Sequence, residues 1–318
     1  MLPSYNRREF MQHSAMAGLG LAVGNPLSFF PGLGSVDPFS PVSRSLTPYF
    51  IGEDLIRLLL VTEKNEDIRQ AISANVEHFQ IGKAWKIKPE ELMKVLWDTR
   101  RKWGSDEQHE QAQTQLALVS GWTAHRIVEK HLGEESNPAD LQQPLRESSL
   151  YRDVCILKMM QNADPHRSSV PLDKPIEGVT QEQVEEIFHL IQQRNMIRTH
   201  TFRPEFSDIE TWLDQFMLYY DRNKADNRDY ARVYCHPDPG KVKQYLKDPL
   251  FYAEDDEEIR IARDLQMAQV TGTISRKGTP ARSIYGKALA EGLKAVQTCN
   301  QFGAGGGSEA SVMKAWKA

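Results

Sequence analysis

The stretch GWTAHRIVEKH, residues 121–131, carries the sharpest set of side chains able to do chemistry. His125 and Glu129 stand four residues apart, so on a helix they share one face and could supply two ligands to a metal ion. His131 falls on another side of the same helix. Glu186 and His189 form an E-x-x-H step, the pair that helical di-iron carboxylate proteins use twice, with two further glutamates. The chain offers the step once, so an ordinary His–Glu surface contact competes with the metal reading at both places. Arg194, Arg198, His200 and Arg203 gather cations over RNMIRTHTFRP, where a helix is expected to give way to a loop. Guanidinium groups there could grip a carboxylate or phosphate in bidentate fashion, or could simply face a helix C-terminus and neighbouring acids.

Other chemistry is thin. Cys235 and His236 are adjacent, a spacing that does not aim one side chain at the other, so no nucleophile–base pair follows. GAGGGS at 303–308 lacks the strand and the lysine of a phosphate-binding loop and reads as a flexible linker. Neither G-x-S-x-G nor H-E-x-x-H occurs. Cys155, Cys235 and Cys299 are far apart and form no C-x-x-C, which excludes the common redox and covalent haem motifs. They read as buried small hydrophobes. No cofactor is identified.

The elements that must position these residues are helical throughout, and the fold expected is an all-α, multi-helix bundle. Apolar spacing predicts helices over 52–63 and 65–84, then one from Pro89 to Trp103 with Gly104 as its stop. Ser105 and Gln108 read as a capping box that starts a long helix ending near Leu132. Further helices are expected over 147–162, from a Thr180/Gln183 capping box to about 197, and from a Ser207/Glu210 box over DIETWLDQFMLYY, residues 208–220. A short one should follow Pro239, with others over 254–270, 280–300 and 308–317. The proline-rich stretch 163–178 reads as an internal linker.

QLALVSG at 115–121 and QMAQVTG at 266–272 are alike, and each follows a proline, Pro89 or Pro239, at nearly the same distance. Two similar halves, 48–163 and 178–300, would explain this, as would coincidence among helices of similar composition. In the first case Gly121 and Gly272 are close-packing points and the groove between the halves is the natural ligand site. Residues 301–318 complete the chain as the Gly-rich linker and a small terminal helix.

The N-terminal segment has a character of its own. NRREFMQHSAMAGLGLAV, residues 6–23, joins two arginines to a short, glycine-punctuated apolar run. Asn6, Arg7, Arg8, Phe10 and Met11 resemble the twin-arginine (Tat) export signal, although Gln12 replaces the lysine often found there. The resemblance implies a signal over 1–24, a Tat translocase as transport partner, and a periplasmic or other extracytoplasmic destination. It also implies a body folded before transport, which favours redox or metal roles. Residues 25–47 read as an extended tether.

Composition sets the outer bounds. The 318 residues carry a formal charge of −4, with no basic excess to attract nucleic acid. No apolar run after the signal is long enough to form a stable membrane span. Three readings stand. The first is an exported helical protein that binds a ligand or partner, as an accessory subunit of a redox enzyme. The second is a metal-dependent oxidoreductase using His125, Glu129, Glu186 and His189. The third is a helical scaffold with a concave surface.

Overall fold

A computed structural model describes residues 45–82, 88–132, 144–161, 173, 178–200, 224–246, 251–266 and 279–317. The protein is an all-α multi-helix bundle. In chain order the helices are α1 (Thr47–Thr62), α2 (Glu66–Ala74), α3 (Val76–Gly82), α4 (Pro89–Lys102), α5 (His109–Leu132) and α6 (Glu147–Gln161). They continue with α7 (Gln181–His200), α8 (Pro239–Leu246), α9 (Glu257–Gln266), α10 (Ile284–Gly303) and α11 (Glu309–Lys317). A further helical segment covers 224–235. Among the described residues the only β-type pairing is an isolated bridge between Asp256 and Thr279. No helix among them is long and apolar enough to cross a membrane.

Helix α5 is the axis of the bundle. It packs against α1, α2, α3, α4 and α10. From Gln115 to Ala124 its side chains are buried all round, as expected of a helix with neighbours on every side. Two glycines let α3 reach it. A Cβ on Gly121 would stand 1.8 Å from the carbonyl oxygen of Phe79, and one on Gly82 would stand 2.0 Å from that of Leu118. The two backbones therefore touch at reciprocal positions, each glycine under a carbonyl of the other helix. The close-packing role expected of Gly121 is present; Gly272 lies outside the described residues. The α5–α10 seam is polar inside. Ser120 donates to Asn300 at 2.6 Å, Thr123 meets the Cys299 thiol at 3.4 Å, and Trp316 donates to Thr123 at 2.9 Å.

Several boundaries differ from the expectation. The stretch 65–84 is two helices, broken at Asn75, whose amide donates to Ala71 and whose carbonyl accepts from Thr114. Ser105 does not cap α5. It sits in a turn, and the helix begins four residues later at His109. The Thr180/Gln183 box is formed, with Thr180 N–H donating to the Gln183 side chain and Gln183 N–H to the Thr180 hydroxyl. Ser207 and Glu210, the linker at 163–172 and the QMAQVTG stretch beyond Gln266 lie outside the described residues. Of the expected tether, Ser45, Leu46 and Thr47 are buried in the body, and α1 already begins at Thr47.

The GAGGGS stretch is not a loose linker. Gly305 and Gly307 adopt left-handed backbone, at φ 95° and 62°, which glycine alone accepts without strain. The Arg100 guanidinium donates to the carbonyls of Phe302, Gly305 and Gly306 at 3.0, 2.7 and 2.8 Å and lies 4.7 Å from the Phe302 ring centroid. Beyond it α11 docks by burying Val312 and Trp316, the latter edge-on to Trp122.

Candidate functional site

The interior seam between α6 and the segment 224–235 concentrates the titratable groups. Asp153 and Lys158 are both fully buried on α6, which runs on through the apolar residues Val154, Cys155, Ile156 and Leu157. Across from them Tyr230 and Tyr234 lie one helical turn apart, on one face of the segment 224–235. Tyr230 donates its phenol proton to Asp153 at 2.5 Å. The Lys158 ammonium lies 4.9 Å from the centre of the Tyr234 ring, a cation–π contact away from water. The two helices are thus joined by two rungs, acid to phenol and amine to ring.

Asp153 is a structural anchor. Leu46, the residue before α1, provides no side-chain cap for that helix. Asp153 takes over from 107 residues away, accepting from Leu46 N at 2.7 Å and from Thr47 N and Oγ1 at 2.6 Å, with Ser45 Oγ at 3.0 Å. Its carboxyl satisfies the amides that a helix N-terminus leaves open.

Lys158 lies five residues further along the same helix. Burial lowers its ammonium to a pKa of about 8, against the partly opposing effects of Cys235, Cys155 and Asp173. Burial acts in the opposite direction on the acids beside it. It pushes the Cys155 thiol up to about 12 and the Tyr234 phenol up to about 12, and it raises the Cys235 thiol as well. All three cysteines are free and buried, as their sequence context implied. At neutral pH the thiols and the phenol keep their protons, so the amine is the group of this cluster that burial makes more reactive.

Nearby, Asp54 accepts from Tyr285 Oη and Arg57 Nη1, both at 2.7 Å. Burial raises its carboxyl despite these two donors. Tyr285 and Arg57 fill that carboxylate's coordination from within the fold, which marks a satisfied structural node.

No protein-family model matches the chain, and no curated protein or solved structure is significantly similar to it.

The residues singled out from the sequence fall elsewhere. His125 and Glu129 do share a face of α5, and they contact one another, Nε2 to Oε1 at 3.1 Å, at the partly exposed surface. His131 instead meets Glu291 of α10 at 3.0 Å. Glu186 and His189 sit on α7, and burial, helped by Lys224, lowers the His189 imidazole below its usual value. Among the described residues no group of three or more His, Cys, Asp or Glu side chains could hold a metal ion. The backbone at Arg194, Arg198 and His200 belongs to α7, which runs on to His200 rather than ending near 197. Their side chains lie outside the described residues, as do Arg203 and the signal residues Arg7, Arg8 and Phe10.

Sequence reasoning passed over Lys158. The signal was there in VCILKMM, residues 154–160, a run whose one polar member is that lysine. A helix apolar on every side offers its cation no wet face, so burial of the charge could have been expected.

Proposed function

We propose that the chain is an exported all-α protein that binds a ligand or partner, in the manner of an accessory subunit of a redox enzyme, with its recognition centre at Lys158. The observation that carries the reading is the Lys158 amine, fully buried and 4.9 Å from the centre of the Tyr234 ring. Bringing an ammonium into such surroundings opposes folding, and binding sites are where proteins commonly place groups perturbed in this way. Export is supported by the likeness of Arg7, Arg8 and Phe10 to the Tat signal, which also makes the Tat translocase the transport partner.

Native mass spectrometry of protein recovered from the cell envelope tests both parts. The expected spectrum contains a bound small molecule or a larger cofactor-bearing chain, and Lys158→Met loses it. Replacing Arg7 and Arg8 together with lysine is expected to leave the protein in the cytoplasm. A bare chain at its own mass, exported equally well without the arginine pair, would refute the reading.

A further inference from the structure

Asn227 lies in the first turn of the segment 224–235 and is only 3% exposed. Neither its carbonyl oxygen nor its amide nitrogen has a hydrogen-bond partner among the described residues. An amide so placed has given up its water and received nothing in return, which weighs against the closed position of the segment. Asn227, Tyr230 and Tyr234 follow at helical spacing and share one face, the face that meets α6 at Asp153 and Lys158. Firm contacts come further along the chain. Tyr230 donates to Asp153 and stacks on Phe188. Asp238 N–H donates to the Tyr151 hydroxyl of α6 at 3.2 Å, and Lys241 of α8 pairs with Glu147 at the start of α6. The later end of the segment is thus tied to α6, while the turn at its start buries an unanswered amide.

We propose that the segment 224–235 is a strap that opens locally, pivoting on the non-helical residues 236–238, and that Asn227 sets how easily it opens. Opening returns the Asn227 amide to water and uncovers the face of α6 that carries Lys158, which is fully buried while the strap is closed. The Tyr230 contacts keep the closed form dominant, so the open form is a minor state reached below the cost of unfolding the whole bundle. The proposal rests on the reading of Lys158 as the recognition centre only for what the opening uncovers.

Hydrogen exchange of the intact protein, read by mass spectrometry, tests this. Backbone amides of residues 230–235 are expected to show protection factors at least about a hundredfold below those of residues 116–124 at the centre of α5. Asn227→Leu keeps the size of the side chain and removes the unanswered polar atoms, and it should slow exchange over 230–235 about tenfold. Leucine's better helix propensity alone accounts for about twofold. The comparison within the wild-type chain does not depend on a variant folding. Protection over 230–235 equal to that of α5 overturns the proposal, as does an Asn227→Leu protein whose segment exchanges faster or slows by about twofold or less. If exchange follows the expectation and the native spectrum shows only the bare chain, the strap stands and the recognition reading falls. If a bound molecule is lost in Lys158→Met while 230–235 is protected like α5, the reading stands and the strap falls.

Discussion

Gly121 of α5 lies beneath the carbonyl oxygen of Phe79 on α3, so close that a methyl group there would stand 1.8 Å from it. The neighbour is main chain in the middle of a helix, not the movable end of a side chain, so it cannot turn aside. Gly121→Ala must push α3 away from the axis of the bundle. A loss of about 3 kcal/mol of unfolding free energy is expected, the upper range for overpacking a well-filled core. Gly82→Ala, on the other side of the same crossing, should be comparably damaging. Urea unfolding of the two variants and the wild type measures this. A midpoint unchanged by Gly121→Ala would show that the helices have room to part.

Lys158 should leave a signature in stability against pH. Below about pH 8 the folded and unfolded chains both hold its proton, and the full penalty for burying the charge weighs on the fold. Between about pH 8 and the ordinary lysine value near 10.4, the unfolded chain keeps a proton that the folded chain has released. Stability from this group therefore rises with pH across that window. The gap from 10.5 to about 8 corresponds to about 3 kcal/mol. Lys158→Met is expected to be more stable than wild type by about 2–3 kcal/mol at pH 7, with the difference shrinking toward zero by pH 10.5. Cys155 and Tyr234 act the opposite way at alkaline pH, but in both proteins, so the difference between the two unfolding curves is the quantity to read.

Arg100 holds the C-terminal turn by three carbonyls, and Arg100→Met removes all three contacts at once. The expected result is faster protease cleavage within 303–308 and a loss of about 1–2 kcal/mol, since the contacts are charge-assisted but partly wet. Cleavage at the wild-type rate would mean that the turn keeps its form without Arg100, held by the docking of α11 through Val312, Trp316 and the Trp97–Glu309 hydrogen bond.

These residues also mark how far the sequence could be read. The long helix, the Pro89 and Pro239 starts and the Thr180 box were legible because each depends on near neighbours in the chain. Asn75 was not, since its break is fixed partly by Thr114 on another helix. The segment 224–235 was also missed. KADNRDYARVYC is rich in charge, and its helix is secured by contacts to distant elements, including Tyr230 to Asp153 and the stacking of Tyr230 on Phe188 at 4.3 Å. The Gly-rich turn looked loose because its partner, Arg100, lies some 200 residues earlier. The seam at Lys158 joins side chains from two segments 77 residues apart at Asp153 and Tyr230, a pairing that no local pattern encodes.

The Asp153 anchor has a mechanical side. A pull applied at Ser45–Thr47 falls first on hydrogen bonds to the buried Asp153 carboxylate. Those bonds also run through Tyr230 to a second helix, so tension is shared across the interior before any outer turn can peel. The start of α1 is thereby moored to the interior of the protein, and traction applied there would load α6 and the segment 224–235 together.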